Sequence, residues 1–207
     1  NICGSQISGG CNIMILALST SQAPNSINYR GLQLLSCEFD RIDCLADYDI
    51  PVVNVNGMDA DIPEDVTAVF DMMYQFDKFV FAIPEFTGMM SSSTKNLLDW
   101  AVVISNMNLE HGKGYPWSNK HVILLTFTPS GKEGGSRHMA QTKDIFKKLG
   151  ANVIHTDVST YGWKHVIPDN QEHFIEMSDK INNYLLYKSD NKDYFKNEYN
   201  DWNEKWD

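Results

Sequence analysis

The sequence of 207 residues lacks the short motifs that mark several common enzyme classes. It contains no H-E-x-x-H, no G-x-G-x-x-G, no Walker phosphate loop and no G-x-S-x-G. A zinc protease, a Rossmann dinucleotide fold, a P-loop nucleotidase and a serine hydrolase therefore have no motif support.

Cysteine is scarce, and its spacing is uninformative. The four cysteines are Cys3, Cys11, Cys37 and Cys44, which form no C-x-x-C and no Cys/His pattern with metal spacing. A chain of this length needs no disulfides for stability. We interpret the cysteines as small hydrophobic residues or incidental thiols and expect no metal site.

Basic residues and long apolar runs are also missing. The chain has 17 Lys and Arg against 27 Asp and Glu, a formal net charge of −10, which argues against nucleic acid or an anionic membrane as a partner. No run reaches the roughly 20 apolar residues of a transmembrane helix. The first ten residues are polar and rich in glycine, unlike a signal peptide, so we expect a cytoplasmic protein.

A hydroxyl-rich turn follows the first apolar run. Residues 13–18 read as a buried parallel strand, and residues 19–28 carry Ser, Thr and Asn before a helix that Asn25 or Ser26 caps. Backbone N–H groups and the helix dipole of such a turn favour an anion. No Lys or Arg lies between positions 19 and 28, which favours a phosphomonoester over a triphosphate with its metal. The alternative is a plain polar turn with a Ser cap.

Strands and helices alternate along the chain. Buried strands are predicted at 13–18, 38–45, 79–83, 121–127 and 152–158. The helices between and after them show buried stripes near residues 27–35, 66–73, 97–104, 139–149 and 174–185, and the second helix is predicted to start within residues 61–65. This pattern predicts a flavodoxin-like α/β doubly wound parallel sheet of order 2-1-3-4-5. Loops 19–28, 84–94 and 128–135 then meet beyond the carboxyl ends of the strands, where such sheets bind ligands.

The two ends of the chain differ from this core. We expect residues 1–11 to be an extension and residues 12–187 to form the domain. From residue 188 to 207, Phe195, Tyr199, Trp202 and Trp206 recur at helical spacing, which predicts an added amphipathic helix or, alternatively, a disordered tail.

The loop after the third strand carries a specific resemblance. Residues 84–100 are similar to the pattern P-E-Y-N-G-s-x-P-g-x-L-K-N-x-x-D-W of the flavodoxin-like NAD(P)H-dependent FMN reductases, relatives of quinone, azo and chromate reductases. The matching residues are Pro84, Glu85, Phe86 for Tyr, Gly88, Lys95, Asn96, Asp99 and Trp100. The first loop resembles the family's S-G-S-x-R-x-x-S-x-N, with Thr20 for Gly, and residues 128–135 resemble its third flavin loop. The resemblance covers about residues 12 to 157.

The resemblance implies an FMN site built from all three loops. It places Ser19, Ser21, Ser26, Ile27 and Asn28 around the phosphate, and Pro84, Glu85, Phe86, Thr87 and Gly88 along the isoalloxazine through backbone groups. Ser130, Gly131, Gly134 and Gly135 approach its far edge. No catalytic side chain is implied, because hydride passes directly between nicotinamide and flavin.

The implied function is an NADPH- or NADH-dependent reductase. It passes hydride to flavin N5 and then reduces a small acceptor, such as a quinone, a free flavin, an azo compound or a metal oxyanion. A homodimer or homotetramer is implied as well. A flavodoxin-like electron carrier or an FMN-binding interaction protein without nicotinamide turnover remains the alternative.

Several residues depart from the family or have open roles. Ala23 replaces the family's loop Arg, and Met89 and Ser91 replace a small residue and Pro. Lys95 and Asp99 fit a structural helical pair. Arg137 and His138 are candidates for the NADPH 2′-phosphate or, alternatively, an exposed helical pair, and His111 and Tyr115–Trp117 are candidates to cover the flavin.

Overall fold

The structure is a computed structural model that describes residues 13–54, 61–107, 114–129, 134–159 and 171–186. Its strands are β1 (Ile15–Ser19), β2 (Arg41–Cys44), β3 (Lys78–Ala82), β4 (Glu85–Phe86), β5 (Met89–Met90), β6 (His121–Phe127) and β7 (Asn152–Ser159). Its helices are α1 (Ile27–Leu34), α2 (Glu64–Tyr74), α3 (Ser92–Asn106), α4 (Ser136–Lys148) and α5 (Gln171–Leu186).

Five parallel strands form the main sheet in the order β2-β1-β3-β6-β7. This is the predicted order 2-1-3-4-5. The antiparallel pair β4-β5 forms a separate small sheet and lies between the third and fourth strands of the main sheet only along the chain. The predicted flavodoxin-like arrangement is therefore confirmed. The predicted C-terminal helix at 188–207 and the extension at 1–11 lie outside the described residues.

Side chains of the central strands alternate between two cores. Leu16, Leu18, Phe79 and Phe81 face the core under α2, α3 and α4, whereas Ala17, Val80 and Ala82 face the core under α1 and α5. Strands covered on both faces must be apolar at every position, which is why the sequence shows continuous runs. Helices on both faces direct any ligand to the ends of the strands.

Helix α2 begins at Glu64, within the predicted start at residues 61–65, and Pro63 occupies the cap position. Two features differ from the sequence prediction. Helix α3 begins at Ser92, inside the predicted loop 84–94, because the Ser91 hydroxyl accepts the N–H of Thr94 at 3.3 Å. The hairpin β4-β5 was not predicted.

No helix among the described residues is long and apolar enough to cross a membrane. Within the same residues, no group of three or more His, Cys, Asp or Glu side chains is placed to hold a metal ion.

Candidate functional site

The first loop connects β1 to α1 and leaves the start of that helix open. Ser26 caps α1 by accepting the N–H of Tyr29 at 3.2 Å, so the cap is Ser26 and not Asn25. The N–H groups of Ile27 and Asn28 have no hydrogen-bond partner within the described chain, and the first turn holds no acidic residue. The positive end of the helix is thus unneutralised and suits an anion.

Most hydroxyls of this loop are buried. Ser19 is fully buried, Ser21 accepts the N–H of Ala23 at 3.1 Å, and the Cys44 thiol donates to the Ser21 carbonyl at 3.3 Å. Burial raises the pKa of the Cys44 thiol, which fits an inert packing residue. These contacts fix the loop to β2 and keep its backbone in one shape.

A cluster of hydroxyls joins the first loop to the start of α3. Thr20 Oγ1 lies 2.7 Å from Thr94 Oγ1, which lies 2.8 Å from Ser91 Oγ. The Ser93 hydroxyl donates to the carbonyl of Thr20 at 2.6 Å. Thr20 and Thr94 are both fully buried. The sequence analysis did not assign these contacts, although Thr20 in place of the family's Gly was a signal that the position differs.

The Asn28 side chain joins the first loop to the end of β6. Its Nδ2 donates to the Phe127 carbonyl at 3.3 Å, and its Oδ1 accepts the Phe127 N–H at 3.1 Å. Both partners are buried, so the amide completes the hydrogen bonding of an interior strand end. Any contact between Asn28 and a phosphate would therefore come from its backbone N–H.

The loop after β3 is a hairpin with an exposed tip. Glu85 pairs with Met90 and Phe86 with Met89, and the turn residues Thr87 and Gly88 have φ values of 51° and 72°. A Cβ on Gly88 would meet no atom within 4 Å, so the space beside the turn is open. The Phe86 side chain is 66% exposed. The backbone of this turn can approach a flat ring closely.

Glu85 joins the hairpin to the loop after β6. Its Oε2 accepts the Thr128 hydroxyl at 2.8 Å and the Gly135 N–H at 3.1 Å. The sequence analysis assigned Glu85 only a backbone role, so this side-chain contact is a new finding. Through it, the second and third loops lie next to each other.

The third loop is described only in part. Gly134 and Gly135 are buried, and Gly135 has a φ of 82° at the start of α4. A Cβ on Gly135 would lie 2.7 Å from side-chain atoms of Thr126 and Val158, so only glycine fits. Ser130 and Gly131 lie outside the described residues. The described contacts still show that all three loops meet at the carboxyl ends of β1, β3 and β6.

Two groups of candidate residues lie elsewhere. Trp117 is fully buried and packs on Phe146, with ring centroids 5.2 Å apart, and its Nε1 donates to the Leu149 carbonyl at 3.0 Å. The loop that contains it precedes β6 and therefore lies at the opposite end of the sheet. The hypothesis that residues 115–117 cover a flavin is wrong, because Trp117 belongs to the packed core and Tyr115 packs against that core. His111 lies outside the described residues.

His138 is also buried rather than available to a ligand. Its Nε2 lies 3.2 Å from Thr126 Oγ1, and its exposure is zero. Burial lowers the pKa of His138, and the charge of Glu85 only partly opposes this. Both readings of His138, as a ligand for the 2′-phosphate and as part of an exposed pair, are wrong. Arg137 is exposed.

The residues of α3 that match the family pattern have structural contacts. Lys95 and Asp99 form the predicted ion pair one helical turn apart. Asn96 accepts the N–H of Val53 at 3.0 Å, and both Asn96 Nδ2 and Trp100 Nε1 donate to the Pro51 carbonyl, at 2.9 and 2.7 Å. These residues therefore hold the segment after β2 against α3.

The parallel sheet with a loop cluster at its switch point defines a flavodoxin-like α/β protein, a class in which ligands bind at the carboxyl ends of the strands. The sequence matches the family described as NADPH-dependent FMN reductase over residues 1–164. The chain belongs to this family. The match extends beyond the expected range of 12 to 157 in both directions.

Known structures support the same fold. FerB, a flavoenzyme NAD(P)H:(acceptor) oxidoreductase from Paracoccus denitrificans, is 16% identical, with a TM-score of 0.63 over 84% of this chain and 97% of FerB. The Trp repressor binding protein of Bacillus subtilis is 15% identical, with a TM-score of 0.56 over 85% of this chain and 99% of that one. At these identities the likeness shows the fold alone. No curated protein sequence matches the chain.

Family membership makes this protein an oxidoreductase that uses FMN and a nicotinamide donor. The described residues fit the cofactor. The open N–H groups at the start of α1 suit its phosphate, and the space beside Gly88 suits its ring. The sequence between residues 19 and 28 contains no Lys or Arg, so the donors that this loop offers to a phosphate are amides, hydroxyls and the helix dipole.

Proposed function

We propose that the chain is an NAD(P)H-dependent reductase that holds FMN across the three loops and passes electrons from the nicotinamide to a small acceptor. The observation that carries the proposal is the convergence of the loops. The Thr20–Thr94, Asn28–Phe127 and Glu85–Gly135 contacts bind them to one another at the point where doubly wound sheets hold ligands.

At the phosphate end, the first loop supplies neutral donors. The phosphate of FMN would be surrounded by the backbone N–H groups of Ile27 and Asn28. The hydroxyls of Ser21 and Ser26 would lie beside it. Hydrogen bonds to a charged group contribute about 1.5–3 kcal/mol each. Four such bonds with burial of the ring approach the ~8 kcal/mol of a micromolar complex.

At the ring end, backbone atoms of residues 84–88 and of Gly134 and Gly135 would lie along the two edges of the isoalloxazine. When bound, FMN supplies the redox chemistry, accepting hydride from the nicotinamide and returning two electrons to the acceptor. The chain orients the ring through main-chain groups that the hairpin and α4 hold rigid. This arrangement requires no protein nucleophile.

The exposed hairpin tip would adjoin the second substrate. Phe86 is 66% exposed and Met89 is 45% exposed, so apolar surface lies beside the proposed ring site. Such surface favours a flat organic acceptor, such as a quinone, a free flavin or an azo compound. A metal oxyanion would gain less from it.

The test is anaerobic reduction of the FMN-loaded protein. Excess NADPH or NADH should bleach the flavin absorbance, and a quinone or azo dye added afterwards should restore it. Flavin that is bound but not bleached by either nicotinamide, yet is reduced by a partner reductase, would identify an electron carrier instead. A protein that neither binds FMN nor gains thermal stability from it would refute the proposal.

A further inference from the structure

We propose that the carboxylate of Glu85 is a positioning residue that sets both the spacing of the two ring-lining loops and the redox potential of the flavin between them. The inference rests on the proposed FMN site. Its starting point is the single oxygen, Oε2, that accepts from Thr128 Oγ1 at 2.8 Å and from Gly135 N at 3.1 Å.

The carboxylate occupies the start of α4. The cap residue Gly135 offers no side chain, and the first turn of α4 contains no acidic residue. By contrast, α2 carries Glu64 and Asp65 in its own first turn. Glu85 therefore supplies from the hairpin the negative charge that stabilises a helix N-terminus.

Both partners of this contact belong to ordered elements. Gly135 packs closely on the sheet, where an added Cβ would lie 2.7 Å from side-chain atoms of Thr126 and Val158. On the other side, Glu85 begins the short ladder with Met90. One carboxylate thus fixes the hairpin relative to α4, and hydrogen bonds to a charged acceptor are among the stronger ones in proteins.

The same charge affects reduction of the flavin. Reduction adds negative charge to the ring. Without a carboxylate beside it, the positive N-terminus of α4 would stabilise that added charge. Because Glu85 already neutralises this helix end, the reduced flavin gains less. The structure therefore assigns Glu85 a second effect, which is to keep the affinity for reduced flavin low relative to oxidised flavin.

Glu85→Gln separates the two effects. Glutamine keeps the size of the side chain and an acceptor oxygen, so the loops should stay joined while the charge is lost. We expect affinity for reduced flavin to rise about tenfold relative to oxidised flavin, which is a rise of about 30 mV for a two-electron couple. Photoreduction against a reference dye measures this potential.

Glu85→Ala and Thr128→Val test the spacing. Loss of the carboxylate should weaken binding of FMN and of riboflavin equally, by about tenfold, because the ring end is loosened and the phosphate end is intact. Thr128→Val should weaken both flavins less, and the double variant should resemble Glu85→Ala alone. Fluorescence titration of each variant gives the dissociation constants.

Glu64→Gln is the matched control, since it removes the same charge from the start of α2, where Glu64 is exposed. It should change neither affinity nor potential. The proposal is overturned if Glu85→Gln leaves the potential at the native value, if the control shifts it equally, or if Glu85→Ala binds both flavins normally. Should the native protein bind no flavin at all, the proposed function fails first and this role fails with it.

Discussion

The two ends of the sheet are held together by different means. At the carboxyl ends, buried hydroxyls and amides such as Thr20, Thr94 and Asn28 link loops through hydrogen bonds. At the amino ends, the loop before β6 sends Trp117 into the core against Phe81 and Phe146. The amino ends of the strands are therefore closed by packing of aromatic side chains. At the carboxyl ends, the loops are linked by polar side chains, and backbone N–H donors remain available to a ligand.

Removal of the Trp117 ring should have the largest effect on stability. Trp117→Ala should lower the free energy of unfolding by roughly 3–5 kcal/mol, because a fully buried ring is lost and a cavity remains. Urea denaturation measures the loss. The folded variant should still bind FMN with native affinity. A large drop in affinity would contradict the separation of packing at the amino ends of the sheet from binding at the carboxyl ends.

Asn28→Ala should have the next largest effect, and it should act on both stability and binding. Both backbone groups of Phe127 lose their Asn28 partner, which should cost about 1–3 kcal/mol because buried polar groups are left unsatisfied. FMN affinity should fall as well, because the first loop loses its attachment to β6. Gln22→Ala, an exposed change in the same loop, is the control and should be neutral in both measurements.

Acidification should destabilise the protein through histidines at both ends of the sheet, namely buried His138 and half-buried His121. Burial lowers the folded-state pKa of His138 near the site and of His121 at the opposite end, each from an ordinary value of 6.5. The unfolded chain therefore binds more protons, so stability falls as pH drops below about 6.5, and the contribution of each histidine levels off below its folded-state pKa.

His138→Gln should reduce the slope of the unfolding free energy against pH. The reduction should be at most the contribution of one bound proton, about 1.4 kcal/mol per pH unit. His121 and His173, whose pKa burial also lowers, should still contribute to the slope. Chemical denaturation at several pH values checks the result. An unchanged slope would mean that His138 is charged in the folded protein.

The smallest effect is expected on the surface of α3. Lys95→Gln should change stability by only about 0.2–0.5 kcal/mol, because the pair with Asp99 is exposed to solvent. Asn96→Ala should cost more, since it frees the segment at Ile50–Val53. A catalytic role for Lys95 would instead appear as a loss of turnover at unchanged stability.

The sheet and its order could be predicted because doubly covered strands are continuously apolar, as in residues 121–127. The meeting of the loops followed from topology alone. The hairpin β4-β5 could not be predicted, because its strands are two residues long and its Thr87-Gly88 turn lacks the usual Asn-Gly signal.

The side-chain contacts of the site were harder to foresee. Polar residues such as Asn28 and Glu85 carry the same sequence signal whether they bind a ligand or another loop. Burial decides between these roles, and burial depends on the packed structure. For the same reason, Trp117 in the loop before the fourth sheet strand was a candidate to cover the flavin, although its ring belongs to the core.

Hydrogen exchange with and without FMN tests the central claim most directly. The account predicts slower exchange for backbone amides in residues 21–28, 85–90 and 134–136 when FMN is bound, and no change in residues 114–120 at the opposite end. Protection confined to residues 114–120, or bound FMN without protection of the three loops, would contradict it.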